Sequence, residues 1–265
     1  MVGESFSCFR FEELEKESTQ KAAVGDKKEE QRMKVILFDL DGTLLPMEQE
    51  TFTKMYFKAL AGKLAPCGYD AAELTKAVWK GTAAMVANDG SRSNEDVFWD
   101  TFAALYGTKA YKDRAIFDDF YRNDFDSLKD VCGYVPQAGQ LVKKLKESGH
   151  QIILASNPIF PMVAQEKRMV WAGLEVADFV WITSYENSSY CKPNPQYYLE
   201  IAGKIGCEPK ECLLVGNHAT EDMVAKEAGM QVFLLTDCLI NSDDKDISQY
   251  PRGNFGELQL FLKEL

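Results

Sequence analysis

The chain has 265 residues, 46% of them hydrophobic, so it can bury a sizeable core as one large domain or two smaller ones. Its 41 acidic residues outnumber its 30 basic residues, and the formal net charge is −11 at pH 7. This balance argues against binding to a nucleic-acid backbone, which needs a basic surface. No apolar run approaches the roughly 20 residues of a membrane span. We therefore expect neither a nucleic-acid partner nor a membrane partner.

The cysteines and the N-terminus bear on the compartment. Seven cysteines are scattered along the chain without a CxxC pair, and His150 and His218 are the two histidines. This pattern gives little support to a zinc site and favours reduced thiols. The N-terminus lacks the basic start and apolar middle of a signal peptide. We expect a cytoplasmic location.

Residues 1–32 are interpreted as an N-terminal extension. From residue 12 to residue 32 the composition is mostly Glu, Lys, Gln, Ala and Ser, with few apolar anchors. Such a segment forms a solvated helix or stays disordered, and we assign it no function. A compact domain is expected to begin at residue 33.

Two carboxylates follow the first predicted strand. The apolar run from Val35 to Phe38 is typical of a buried strand in a parallel sheet. Asp39 and Asp41 come next, before a Gly-Thr turn. Because burial of unpaired charge is costly, we expect both acids at the carboxyl end of the strand, where open α/β sheets place their ligands. The alternative is an ordinary acidic turn, since Asp-Gly is a common turn dipeptide.

Residues 47–130 are predicted to form an inserted all-helical domain. The segment is poor in strands and rich in helix formers, with helices predicted at 48–64, 71–87, 94–106 and 115–128. Its aromatic residues are interpreted mainly as the core of a helical bundle. They are Phe52, Tyr56, Trp79, Phe98, Trp99, Phe102 and Tyr121.

The rest of the chain alternates short apolar runs with helical patterns. Such alternation predicts a doubly wound parallel sheet with right-handed crossovers. The α/β core would comprise residues 33–46 and 131–265. The predicted strands lie at 151–155, 179–183, 212–215 and 232–235, and the helices at 135–148, 161–172, 195–205, 221–228 and 255–265.

Three further motifs accompany these elements. Ser156 and Asn157 follow a predicted strand, Lys192 precedes Pro-Asn-Pro at a helix start, and residues 217–222 follow another strand. With the run from Asp39 to Thr43, they resemble the haloacid dehalogenase-like hydrolase superfamily over roughly residues 33–240. The first motif is fairly specific, and the others gain weight from their order. The resemblance implies a Rossmann-like core with a helical cap inserted after the first motif.

The resemblance implies chemistry through an aspartyl-phosphate. Asp39 is expected to be the nucleophile, which splits one hard transfer into two steps. Asp41 is expected to act as acid and then as base, and Thr43 to orient Asp39. Dehalogenases of the superfamily lack the second aspartate, so Asp41 favours hydrolysis of a phosphate ester.

The later motifs are expected to bind the phosphate. Ser156 would donate its hydroxyl, Asn157 would add an amide donor or shape the turn, and Lys192 would neutralise charge. Taken alone, Ser156 is equally well explained as a helix N-cap, and Lys192 as a surface loop residue. Their combination favours the catalytic interpretation.

The fourth motif departs from the superfamily pattern. It usually begins Gly-Asp, but Asn217 stands in the place of that aspartate. An amide oxygen can ligate Mg²⁺ without adding charge, so the affinity for the metal should be lower. We expect Asp39, Asp41, Asn217 and Asp222 to hold the Mg²⁺, with Asp222 supplying charge directly or through water.

Two neighbours of this motif have open interpretations. Glu221 is a further acid or a residue that favours a helix start through the dipole. His218 is a metal neighbour, a proton shuttle or an exposed loop residue, and the last is favoured. Lys80 and Arg92 of the cap are candidate substrate contacts or ordinary surface charges.

The motifs together predict a magnesium-dependent phosphatase for a small phosphorylated metabolite, such as a phosphosugar or a nucleotide-like phosphate. One alternative is a phosphomutase of the same superfamily, which would reuse Asp39 and retain the phosphoryl group. Another is a non-catalytic phosphate-binding or regulatory module whose metal site is weakened by Asn217.

Overall fold

The computed structural model describes residues 35–264, which form one compact unit. The predicted N-terminal extension therefore lies outside the described residues. At the centre is a parallel sheet whose strands are β1 Val35–Phe38, β2 Gln151–Leu154, β3 Trp181–Ile182, β4 Cys212–Gly216, β5 Gln231–Leu235 and β6 Arg252–Gly253. Their order is β3-β2-β1-β4-β5-β6.

Strand β1 lies in the middle of the sheet. It pairs in parallel with β2 through Val35 and Gln151, and with β4 through Val35 and Cys212. All four residues of β1 are buried, with Ile36 and Phe38 in the hydrophobic cluster on one face and Val35 and Leu37 in the cluster on the other. The carboxyl ends of β1, β2 and β4 consequently meet at one edge of the sheet.

Eight α-helices of the described chain surround or follow the sheet. They are α1 Gln49–Leu64, α2 Ala71–Val86, α3 Asn94–Tyr106, α4 Thr108–Asp119, α5 Pro136–Glu147, α6 Met162–Trp171, α7 Pro195–Ile205 and α8 Phe255–Phe261. Helices α1 to α4 form the all-helical cap between β1 and α5. The predicted α/β fold with an inserted helical cap is confirmed. The residue boundaries of the two domains stay a prediction.

The cap helices begin where side chains satisfy their free amides. Glu48 accepts from the amides of Glu50 and Thr51 at the start of α1, and Asp70 and Ser93 play the same role for α2 and α3. Six of the seven predicted core aromatics are buried, but the exposed fraction of Trp79 is 51%. The bundle-core interpretation is therefore wrong for Trp79.

Two predicted helices differ from the structure. Helix α4 starts at Thr108 rather than 115, because Gly107 ends α3 and the chain turns directly into the next helix, where Lys109 pairs with Asp113. After Asp119 it widens into a π turn and a 3₁₀ segment. The helix predicted at 221–228 is only the 3₁₀ turn Met223–Lys226.

The sheet has one strand that the sequence did not predict. The two residues of β6 pair with the end of β5, and an Arg-Gly dipeptide has no apolar run that would predict a strand.

No helix within the described part of the chain combines the length and the apolar character needed to span a bilayer.

Candidate active site

Asp39 directly extends β1 at the carboxyl edge of the sheet. Its amide donates to the carbonyl of Val215 over 2.9 Å, so the backbone is still paired with β4 at this point. Gly42 then turns the chain with a φ of 86°, and a Cβ atom there would lie 2.2 Å from Nδ2 of Asn217. Only glycine suits this turn, because it accepts the left-handed backbone and leaves room for Asn217.

The hydroxyl of Thr43 joins the first and fourth motifs. Its Oγ1 lies 3.1 Å from Oδ2 of Asp39 and 3.1 Å from Oδ1 of Asn217. A hydroxyl has one proton to donate, so it serves the two oxygens in alternation. The carboxylate of Asp39, which follows β1, and the amide oxygen of Asn217, which follows β4, therefore lie beside the same hydroxyl.

Lys192 lies between two carboxylates. Its Nζ is 2.8 Å from Oδ1 of Asp39 and 2.6 Å from Oδ1 of Asp222. Burial disfavours the charge of Lys192, but the carboxylates of Asp222 and Asp39 outweigh it and raise the lysine pKa well above its usual value. Burial raises the pKa of Asp39, and Lys192 opposes this rise. The group of three carries one positive charge against two acids.

Asp41 is held by a residue that the sequence analysis missed. The guanidinium of Arg168 donates to Oδ2 of Asp41 and to Oε1 of Gln165, and it lies 4.5 Å from the ring centre of Phe160. Oδ1 of Asp41 is buried and has no hydrogen-bond partner among the described residues. Burial raises the pKa of Asp41, and the charge of Arg168 opposes that rise.

A signal for Arg168 was present in the sequence. The residue lies inside a predicted helix, four positions after Ala164 and one before Met169, and all three side chains are fully buried in α6. A charged residue on the apolar face of a helix is rarely buried without a partner. That placement could have pointed to a nearby acid.

The second motif, Ser156 and Asn157, follows β2. Ser156 is buried, and its carbonyl accepts from Thr183 and Tyr197 over 2.7 Å each. It does not cap α6, whose N-cap is Pro161. Asn157 connects motifs, because its Oδ1 accepts from the amide of Lys192 over 3.2 Å.

The fourth motif forms a tight turn after β4. Oδ2 of Asp222 accepts from the amide of His218 over 2.9 Å, and a Cβ atom on Gly216 would lie 2.3 Å from the Asp222 carboxylate. His218 is half-buried rather than exposed, and its Nδ1 accepts from the amides of Thr220 and Glu221. The imidazole thus stabilises the turn.

The oxygen donors near Asp39 suit Mg²⁺ better than a softer metal. No group of three His, Cys, Asp or Glu side chains between residues 35 and 264 is arranged for a metal. Mg²⁺ needs fewer, because one or two carboxylates, waters and a substrate phosphate complete its shell. The carboxylate of Asp39 and the amide oxygen of Asn217 fit that requirement. Oδ1 of Asp41 has no hydrogen-bond partner among the described residues, so it can add a third oxygen. Both oxygens of Asp222 accept hydrogen bonds, from Lys192 and from the amide of His218, as both oxygens of Asp39 do from Lys192 and Thr43.

A cavity of about 360 Å³ opens beside these residues, between the cap and the carboxyl edge of the sheet. Asp41, Asn157 and Glu221 line its end at the sheet. Lys80 and Arg92 are not among its lining residues, and Arg92 pairs with Asp100 at 2.7 Å.

Comparison with known proteins yields one consistent family. A profile of haloacid dehalogenase-like hydrolases matches residues 33–229. The chain is 30% identical to the Rhythmically expressed gene 2 protein of Drosophila melanogaster, over 75% of this chain and 81% of that protein. It is 28% identical to Phosphoglycolate phosphatase 1 of Pseudomonas aeruginosa, over 77% and 69% of the two chains.

A solved structure has the same fold. YfnB of Bacillus subtilis, determined bound to magnesium, superposes with a TM-score of 0.54 at 20% sequence identity. The match covers 88% of this chain and 99% of that one.

Proposed function

Because the chain belongs to the haloacid dehalogenase-like hydrolases, an enzyme family with phosphatase relatives, we propose that it is a magnesium-dependent phosphatase for a small phosphorylated metabolite. The observation that carries the proposal is the environment of Asp39. Its two carboxylate oxygens are hydrogen-bonded to Lys192 and Thr43 at the carboxyl end of the central strand. A carboxylate fixed in this way has a defined direction of approach to phosphorus.

In the first step, a carboxylate oxygen of Asp39 attacks phosphorus. The oxygen–phosphorus bond forms as the bond to the leaving alcohol breaks, and an aspartyl-phosphate results. Asp41 donates its proton to the departing oxygen, so that an alcohol leaves rather than an alkoxide. Arg168 holds the Asp41 carboxyl group while this happens.

In the second step, water attacks the phosphorus of the aspartyl-phosphate. Asp41, now a carboxylate, takes a proton from the water. The bond between phosphorus and the Asp39 oxygen breaks, inorganic phosphate leaves, and both aspartates return to their starting states.

The other motif residues bind the phosphate oxygens in this proposal. Lys192 lies next to the nucleophile and offsets the negative charge of the incoming phosphate. Ser156 follows β2, and Thr183 and Tyr197 fix its backbone carbonyl. In this proposal its hydroxyl donates to a phosphate oxygen. Asn157 keeps the loop of Lys192 in place.

Asp39, Asp41 and Asn217 would hold the Mg²⁺, with Asp222 beside them acting directly or through water. When bound, the ion would neutralise charge on the phosphate oxygens. Asp222 also pairs with Lys192 and so holds the ammonium beside Asp39. YfnB, which shares the fold, was determined bound to magnesium, and this supports the choice of metal in the proposal.

The proposal also includes a cytoplasmic location. Six cysteines between residues 35 and 264 are free thiols, as expected in a reducing compartment.

A small phosphorylated metabolite is compatible with the acidic net charge of the protein, because a bound cation can make the local electrostatic potential positive.

The test is release of inorganic phosphate from a panel of phosphate esters, with Mg²⁺ and with EDTA. We expect turnover that needs Mg²⁺ and that falls by about 10³-fold or more in Asp39→Asn. Asp243→Asn, an exposed acid that contacts Thr220, is the matched control and should keep full activity. Activity that survives Asp39→Asn would contradict the nucleophile assignment.

The same panel separates the alternatives. A phosphomutase would convert a phosphorylated substrate to an isomer and release little phosphate. A binding module would show Mg²⁺ or phosphate binding by calorimetry without turnover of any ester.

A further inference from the structure

The cavity beside Asp41 is lined mainly by aromatic rings. Ten of its twenty lining residues are Phe, Tyr or Trp, although aromatic residues make up only 12% of the chain. They come from the cap, from the loop after β2 and, for Tyr185, from the loop after β3. Phe160 of the loop after β2 lies 5.5 Å from Tyr56 between ring centres. Substrate that reaches Asp41 through this space would meet apolar walls.

The charged residues of the cavity lining also favour an uncharged leaving group. Its charged lining residues are Asp41 and Glu221, and its lining within the described chain includes no lysine or arginine. A leaving group with a carboxylate or a second phosphate would enter this space without a cation to pair with. Because burial of unpaired charge is costly, the cavity disfavours such groups.

The polar groups of the cavity are partly committed to each other. The hydroxyls of Tyr56 and Tyr121 are 2.8 Å apart and hydrogen-bond together, and Oγ1 of Thr82 donates to the carbonyl of Val78. A sugar with several hydroxyls needs many free partners. A phosphosugar would find these three hydroxyls already engaged.

Trp79 supplies an independent observation. Its exposed fraction is 51%, yet it lines the cavity and lies 5.5 Å from Phe57 between ring centres. An indole combines a large apolar face with a polar N–H, so Trp79 offers an aromatic surface to a group that enters the cavity. A flat ring that enters the cavity can pack against the adjoining faces of Trp79 and Phe57.

We propose that the substrate is a phosphate monoester of an uncharged alcohol that carries a flat aromatic group, which occupies this cavity. The size agrees, because a cavity of about 150 Å³ holds one benzene ring. The volume of about 360 Å³ leaves room for two fused rings or for one ring with a short linker. This inference rests on the proposed phosphatase function.

The first experiment compares esters whose leaving alcohols have similar acidity. The probes are 2-phenylethyl phosphate, ethyl phosphate and 2-phosphoglycolate, with the full chain and Mg²⁺. We expect kcat/KM to be about tenfold or more higher for the phenylethyl ester than for ethyl phosphate, and lowest for the anionic ester. Equal values across the three esters would overturn the inference.

Variants locate the effect. Trp79→Ala should reduce the preference for the aromatic ester over ethyl phosphate several-fold, measured as the ratio of the two kcat/KM values. Tyr111→Ala removes another exposed aromatic side chain of the cap, one outside the cavity, and should keep the preference. An unchanged preference in Trp79→Ala and in Phe57→Ala would contradict the assigned cavity.

Binding distinguishes failure of this inference from failure of the proposed function. Calorimetry would compare 3-phenylpropylphosphonate with propylphosphonate, in which a methylene replaces the ester oxygen. If no ester is turned over but the aromatic phosphonate binds more tightly, the phosphatase proposal fails and the ligand class stands. If turnover depends on Asp39 but the two phosphonates bind equally, the ligand class fails and the phosphatase proposal stands.

Discussion

Lys192 and Asp222 form an ion pair that is closed to solvent: Nζ lies 2.6 Å from Oδ1, and each side chain is 1% exposed. Asp39 approaches the same Nζ from the other side at 2.8 Å. The ammonium therefore has a structural role in addition to the proposed catalytic one, because it keeps Asp39, which follows β1, and Asp222, in the turn after β4, together.

Replacing Lys192 should destabilise the protein strongly. Lys192→Met leaves two buried carboxylates without a cation, and loss of one partner from a buried pair costs about 3–5 kcal/mol. Lys143→Met breaks the exposed pair with Glu175 and should change the free energy of unfolding by less than about 1 kcal/mol. Urea denaturation in EDTA measures both. Equal losses in the two variants would contradict the prediction.

A double variant tests the coupling. Lys192→Met combined with Asp222→Asn removes one of the stranded acids, so it should be more stable than Lys192→Met alone. A double variant as unstable as the sum of the two single changes would mean that the residues act independently.

Arg168 should act as a positioning residue for Asp41. Arg168→Met keeps most of the side-chain bulk but removes the contact, and we expect kcat/KM for an alkyl phosphate, which reports the first step, to fall about 10- to 100-fold. The effect on 4-nitrophenyl phosphate should be much smaller, because its leaving group needs no proton. Arg168→Lys, which keeps the charge, should lie between. Equal losses with both substrates would indicate a purely structural role.

The sequence predicted the parts of the site that follow strands. Asp39, Ser156 and Asn217 end neighbouring strands, and a parallel sheet brings such ends to one edge. Apolar runs and turns suffice for that conclusion.

The sequence could not predict partners chosen by packing. Arg168 lies inside a helix and reaches Asp41 only because α6 packs beside the first motif. Trp79 has the spacing of a core residue, and its exposure depends on how the four cap helices meet. The start of α4 was hidden because its first turns are mostly charged.

Asn94 should stabilise the contact between cap and core. It is fully buried at the start of α3. Its backbone amide donates to the carbonyl of Ser188 over 2.8 Å, and its side-chain Nδ2 lies 3.3 Å from the carbonyl oxygens of Pro158 and Tyr190. These acceptors belong to the core loops that carry Asn157 and Lys192.

Asn94→Ala should weaken this contact by about 1–3 kcal/mol, because it leaves buried carbonyls without a donor. Hydrogen exchange of the backbone amides in residues 185–191 should become faster. Ser93→Ala is the matched control. It removes only the N-cap of the same helix, where the Ser93 hydroxyl accepts from the backbone amide of Asp96. Equal exchange in the two variants would show that Asn94 does not hold the cap.

Replacing Asn217 with aspartate should tighten Mg²⁺ binding and lower the stability of the metal-free protein. Asn217→Asp adds a charged ligand, so Mg²⁺ should bind more tightly by calorimetry. The same change removes the Nδ2 donor that lies 2.7 Å from the carbonyl oxygen of Cys238 and places an acceptor there. In EDTA the variant should therefore unfold more easily than the wild type, by about 1–3 kcal/mol, and Mg²⁺ should restore part of the loss. Unchanged Mg²⁺ affinity would mean that residue 217 is not a ligand. Unchanged stability in EDTA would mean that the contact with Cys238 does not explain the asparagine.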